Sequence, residues 1–138
     1  MNENFENFAN SLSIIGNRVS HLESTTSTMD VAWELASEGA PDGTVIIADH
    51  QSAGRGRYDR SWVSRQAEDI LCSVLLRPRV ALAGELLMLA ALAVANVAEE
   101  FGVVVDIKWP NDIQVEGKKL AGVIAESKTG PELAGGDY

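Results

Sequence analysis

The spacing of apolar residues along the chain switches between a period near two and a period near 3.6, and each switch marks an expected element. Residues 19–24 fit a short strand. From Met29 to Glu38 the residues Met29, Ala32, Trp33 and Ala36 fall on one helical face. Ser27 can cap that helix with Asp30 three positions on, and Gly39 stops it. The runs "GTVIIAD", ending at Asp49, and "ILCSVLL" read as buried strands, the second ended by Pro78. Residues 83–101 are rich in Ala and Leu and apolar nearly all round, which predicts a long, largely buried helix. "VVVDIKW" is a further strand, broken by Pro110, and "IQVEGKKLAGVIAES" is a hairpin turning at Glu116–Gly117. Residues 1–18 read as a leader whose Phe5, Phe8, Leu12, Ile14 and Ile15 pack on the body, a domain over residues 19–138. Its last residues, "KTGPELAGGDY", are turn-rich. The expected class is α+β, a mixed β-sheet with flanking helices.

Composition narrows the function classes. With 138 residues, 46% hydrophobic and 22% charged, the chain has the make-up of an ordinary globular protein. Its formal net charge of -9 argues against general affinity for nucleic acid or an anionic membrane. The longest apolar run, near "LLMLAALAV", falls short of the ~20 residues a membrane span needs. The start, "MNENFENFANSL", is no secretory signal. The single cysteine, Cys72, excludes an internal disulfide, fits the reducing cytoplasm and is expected to be buried. His21 and His50 lack partners at ligand spacing, so no protein metal site is expected. Six of the eleven basic residues, Arg55, Arg57, Arg60, Arg65, Arg77 and Arg79, lie within one stretch. A local positive field in an acidic chain suits a small anion.

Four segments carry candidate chemistry. In "HQSAGRGRYDRSW", Gly54 and Gly56 alternate with Arg55 and Arg57, so backbone N–H groups and guanidinium forks can meet one ligand. Neither the G-x-G-x-x-G fingerprint nor the G-x-x-x-x-G-K-[ST] loop is present, and a solvated basic loop is the plain alternative. "KWPNDI" runs a strand into a turn that puts Asp112 at the end of a sheet, although such turns are common. In "KKLAGVI", alternation puts Lys119, Ala121 and Val123 on one face and Leu120, Gly122 and Ile124 on the other. A lysine at a hairpin's polar end is the alternative there. In "STTSTMD", Ser27 and Thr28 stand where a helix begins, serving as caps or as partners for a polar ligand.

Taken together and in order, Ser27-Thr28, Gln51 to Arg57, Arg60, Trp62, Lys108 to Asp112 and Lys119 to Ile124 resemble the biotin protein ligases, from about Ser20 to Lys128. The resemblance implies a fold like those ligases and the class II aminoacyl-tRNA synthetases. It also implies an ATP-dependent enzyme that forms biotinyl-5′-AMP and passes biotin to a lysine of a biotin carboxyl carrier domain. Its cofactors would be ATP and Mg²⁺, with biotin as substrate. By position, Ser27, Thr28 and Gln51 would bond the biotin ureido group, Gly54 and Arg55 would close over biotin, and Gly122 would approach its carboxylate. Arg57 and Lys119 would contact that carboxylate and the adenylate phosphate, Arg60 would help with phosphate, and Trp62 would pack the loop shut. Asp112 would orient the carrier lysine, while Lys108 and Trp109 hold the turn. The loop as a whole is expected to order over its ligand.

The sequence also departs from that family. Too few residues precede Ser27 for a winged helix-turn-helix, so no nucleic-acid partner is expected; a homodimer is open, and no membrane partner is expected. Met29 and Asp69 stand where asparagine is usual. The chain stops at Tyr138, before the family's "G-I-G-x-N" segment, so a partial catalytic domain is expected. A truncated, non-catalytic biotin-binding fragment and a lipoate or octanoyl transferase relative are the rival readings.

Overall fold

The computed structural model describes residues 14–78 and 83–128. The chain divides into two compact units. The described part of the first holds residues 14–55 and 59–77, and that of the second holds residues 56–58, 78 and 83–128. Phe5, Phe8, Leu12 and the final residues 129–138 lie outside the described residues. Of the expected leader contacts, Ile14 and Ile15 are exposed.

In chain order the first unit contains β1 (Arg18–Leu22), α1 (Thr28–Ser37), β2 (Thr44–Ala48), β3 (Gly54–Arg55), β4 (Ser61–Trp62) and β5 (Leu71–Leu75). β2 is central in a mixed sheet, parallel to β1 and antiparallel to β5. Register puts Thr44 opposite Leu75, Ile46 opposite Ser73 and Ala48 opposite Leu71. These residues share one face, and α1 packs on the β2–β5 pair, with Ala36, Ala40 and Leu75 in one core cluster against Trp33 and Leu35. Ile46 is fully buried, and burying such a side chain contributes about 1.5–3 kcal/mol. Cys72 points to the other face and is exposed, contrary to expectation. Alternation had Leu71, Ser73 and Leu75 to bury, and only that face is covered by α1.

α1 begins as its sequence predicts. Ser27 is extended (φ -156, ψ 140) and its hydroxyl accepts from Met29 N–H, while the backbone N–H groups of Asp30 and Val31 donate to the Ser27 carbonyl. At the other end Arg77 donates to the carbonyls of Ala36 at 2.9 Å and Ala40 at 3.2 Å. A cation there meets the negative end of the helix dipole, so this arginine serves the fold and leaves the basic cluster.

The second unit contains α2 (Ala83–Glu100), β6 (Asp106–Lys108), β7 (Asp112–Val115) and β8 (Lys118–Gly122), the strands forming an antiparallel sheet in that order. Its hairpin turns at Glu116 (φ 49) and Gly117 (φ 76). Two successive positive φ values define the type I′ turn that matches strand twist. Ile113 is the buried centre of the sheet, and α2 lays Ala91 and Ala95, one turn apart, toward it. The rest of α2 differs from expectation: Met88, Leu89, Leu92 and Val97 are exposed. Apolar periodicity reports what could be buried, but a sheet of three short strands covers only one stripe of an 18-residue helix.

Candidate active site

The first unit gathers hydroxyl and amide groups at the start of α1. The ladder between β1 and β2 continues past both strands: Thr25 N–H donates to His50 O, Ser52 N–H to Thr25 O and Ala53 N–H to Thr26 O. This zipper places Gln51 over the helix start. Its Oε1 accepts from Thr28 N–H at 2.8 Å and from Thr28 Oγ1 at 3.0 Å. With that donation made, Thr28 Oγ1 accepts from Ser73 Oγ at 2.8 Å. Ser27 and Thr28 are 2% and 3% exposed, so these groups are oriented by each other rather than by water. Ser73 escaped sequence reading, because one serine in an apolar strand carries no motif; its even-numbered spacing from Leu71 and Leu75 is the signal that could have found it.

The glycine–arginine segment is more structured than the open loop expected from sequence. β3 and β4 form a two-residue antiparallel ribbon with Gly54 opposite Trp62 and Arg55 opposite Ser61. Strands this short leave no periodicity to read. A Cβ on Gly54 would lie 2.6 Å from the Trp62 carbonyl oxygen and 2.9 Å from Gln51 Nε2, so only glycine fits. Trp62 is half-buried and Arg60 exposed.

Arg55 Nη1 donates to Asp30 Oδ1 at 2.6 Å, and Thr26 Oγ1 donates to Asp30 Oδ2 at 2.9 Å. The Arg55 hydrogen bond holds the Asp30 carboxyl below its ordinary range, outweighing partial burial, with Thr26 and the Arg55 charge adding to the effect. A depressed carboxyl pKa stabilises above the unfolded value and loses that contribution as pH falls through the folded one. The Arg55–Asp30 link is therefore expected to survive the pH of about 4 at which a free aspartate protonates, and to fail only as pH falls through the lowered value. Its contribution to stability is small, since Asp30 is 46% exposed and the pair is screened. Following the Asp30 carboxyl carbon by NMR should give a midpoint below that of a free aspartate, moving up in Arg55→Ala. An unchanged midpoint in the variant contradicts the assignment.

In the second unit, Lys119 Nζ lies 2.8 Å from Asp112 Oδ1. Register explains how they meet. Asp112 pairs with Gly122 and Ile113 with Ala121, but Gln114 pairs with Lys119, so Leu120 is the extra residue of a β-bulge. Simple alternation had put Lys119 and Gly122 on opposite faces; the bulge brings them together. A Cβ on Gly122 would lie 2.8 Å from Lys119 Cε and 2.9 Å from its Nζ. Arg57 also belongs to this unit. Its Nη1 donates to Asn111 Oδ1 at 2.8 Å and its Nη2 to Tyr58 Oη at 2.9 Å, with Cζ 4.8 Å from the Tyr58 ring centroid. Tyr58 sits at φ 56, a conformation rare for a bulky side chain. Neither Asn111 nor Tyr58 was singled out from sequence.

The named residues thus divide by unit. Ser27, Thr28, Gln51, Gly54, Arg55, Arg60 and Trp62 belong to the first, and Arg57, Asp112, Lys119 and Gly122 to the second. Lys108 and Trp109 flank the turn before Asp112 and are exposed. Arg65 pairs with Glu68 at the surface at 3.4 Å, and Arg79 lies outside the described residues. Among the described residues no group of three or more His, Cys, Asp or Glu could hold a metal ion, and no helix is long and apolar enough to cross a membrane.

The profile of the biotin/lipoate A/B protein ligase family matches residues 21–136. The chain belongs to this family. It is 42% identical over 116 residues to the bifunctional ligase/repressor BirA of Bacillus subtilis (strain 168), covering 82% of this chain and 36% of that protein. It is 38% identical over 108 residues to the biotin–[acetyl-CoA-carboxylase] ligase of Mycobacterium tuberculosis, covering 73% of this chain and 41% of that protein. The fold matches the biotin protein ligase of Aquifex aeolicus solved in complex with biotin and ATP, with a TM-score of 0.66 and 31% identity over 80% of this chain and 47% of that one. The α+β class and the likeness to biotin ligases read from the motifs therefore hold. The chain spans between 36% and 47% of the length of these family members.

Proposed function

We propose that this chain carries the biotin-activating machinery of a biotin protein ligase. The observation that supports the reading best is the pairing of Lys119 with Asp112 on a bulged strand of a family member. Adenylation brings the biotin carboxylate to the α-phosphorus of ATP; a new C–O–P linkage forms and pyrophosphate leaves. Two anions must approach each other, so fixed cations at the meeting point lower the barrier. Arg57 and Lys119 take that role here, with Arg60 and Trp62 serving the phosphates and loop packing. Mg²⁺ bound to the ATP phosphates would supply charge neutralisation for the leaving pyrophosphate and would ask few carboxylates of the protein. In the second step a carrier lysine amine attacks the biotinyl carbonyl and AMP leaves; Asp112 orients the amine. The partner is the carboxyl carrier domain of a biotin-dependent carboxylase, in the cytoplasm, with the catalytic domain taken as residues 19–138.

Biotin's ureido group is neutral, planar and rich in donors and acceptors. Thr28, Gln51 and Ser73 offer a pre-ordered set of the same kind, with Ser27 beside them, and Arg55 covers the ligand. Biotin is preferred over lipoate on this ground, because a dithiolane ring cannot use the hydrogen-bonding capacity that remains on Gln51 and Ser73 beyond their bonds to Thr28. Comparing biotin with lipoate in ATP–pyrophosphate exchange tests the preference: biotin-dependent exchange is expected, and faster exchange with lipoate contradicts it.

Gly122→Ala separates chemistry from folding. The added methyl would crowd only the end of a flexible lysine, with Asp112 Oδ1 at an ordinary contact distance of 3.5 Å, so the melting temperature is expected to stay close to that of the parent. Displacing Lys119 by about 1 Å can cost on the order of 10²-fold, and exchange should fall at least tenfold. Unchanged exchange removes Lys119 from the proposed centre.

A further inference from the structure

We propose that Asn111 is a positioning residue for Arg57, fixing the guanidinium where the reacting anions meet; this rests on the role given to Arg57 above. Asn111 is 7% exposed and doubly tied to one residue beyond β8. Its backbone carbonyl accepts from Val123 N–H at 2.9 Å, and its Nδ2 donates to the Val123 carbonyl at 2.9 Å. With main chain and side chain held by the same residue, the amide plane has no freedom to turn.

Its orientation is also chemically determined. The Val123 carbonyl can only accept, so the amide nitrogen must face it. A guanidinium can only donate, so the amide oxygen must face Arg57, as it does at 2.8 Å. Both partners demand the same orientation. Tyr58 then fixes the opposite nitrogen through its hydroxyl and one face through its ring. These contacts engage two of the five N–H donors, leaving a fork geometry suited to anionic oxygens.

An amide suits this position better than a carboxylate. Aspartate would turn a negative oxygen toward the Val123 carbonyl and neutralise Arg57. Asparagine orients the guanidinium and leaves its full positive charge for the ligand.

The test is a double-mutant cycle in the full chain using Asn111→Ala and Arg57→Ala, read as kcat/KM for biotin-dependent ATP–pyrophosphate exchange. Asn111→Ala is expected to lower kcat/KM tenfold or more in the parent and less than twofold when Arg57 is already alanine. Equal losses in both backgrounds mean a merely structural role and overturn the proposal. A second readout does not need activity. The Arg57 guanidinium ¹⁵N signals should show restricted rotation in the parent and averaging in Asn111→Ala; free rotation in the parent overturns the proposal. If the parent shows no exchange, the functional reading fails while the NMR comparison still decides the role of Asn111.

Discussion

Lys119→Ala is expected to lower biotin-dependent ATP–pyrophosphate exchange about 10²–10³-fold, the cost of removing one donor aimed at charge developing in a transition state. Lys119 is an exposed residue whose side chain is 43% accessible, so few packing contacts are lost. Asp112 loses its ion-pair partner but is 24% accessible, and water can take part of that place. The melting temperature should therefore change little while the chemistry fails. The bulge at Leu120 explains why the lysine is needed at this point of β8. It turns Nζ onto Asp112 and over Gly122, where the missing side chain leaves room for the lysine. Exchange assays with calorimetric melts on the same preparations check both halves. A loss below about fivefold places the main electrostatic contribution elsewhere.

Gly54→Ala should do the reverse and injure fold and ligand binding together. The new Cβ would meet the Trp62 carbonyl at 2.6 Å and the Trp62 Cβ at 3.2 Å. A backbone oxygen in a paired strand can yield only by opening the β3–β4 ribbon. Forcing a methyl into such a site typically costs about 1–3 kcal/mol, a drop of several degrees in melting temperature. The third contact, Gln51 Nε2 at 2.9 Å, carries the functional part. Pushing that amide aside breaks its bonds to Thr28, so biotin affinity should fall at least tenfold by calorimetry. A variant with the parent's melt and affinity shows that the ribbon is not what holds Gln51.

The elements that could be read from sequence are those whose physics is local. Ser27 caps α1 because its hydroxyl reaches a backbone N–H two residues away. Glu116–Gly117 turns because one hairpin geometry needs two positive φ values there. β2 shows its buried alternation directly in "TVIIA". The motif residues could be named because their order along the chain is distinctive. What could not be read depends on long-range register. The bulge at Leu120 is set by pairing with β7, and it overturned the expected faces of Lys119 and Gly122. Ser73 matters because β5 brings it to Thr28 across 45 positions. Arg77 looked like part of an anion site, whereas tertiary contact assigns it to the end of α1. Apolar content implied a buried α2, but exposure depends on how much sheet lies against the helix.

Activation of biotin by these residues is what separates an enzyme from a binding module. The most direct measurement supplies the 138-residue chain with biotin, ATP and Mg²⁺ and quantifies biotinyl-5′-AMP together with released pyrophosphate. The predicted result is formation of both in equal amounts, slowed about 10²–10³-fold in Lys119→Ala and insensitive to added lipoate. Biotin binding without any adenylate would contradict the claim and leave a binding module in its place.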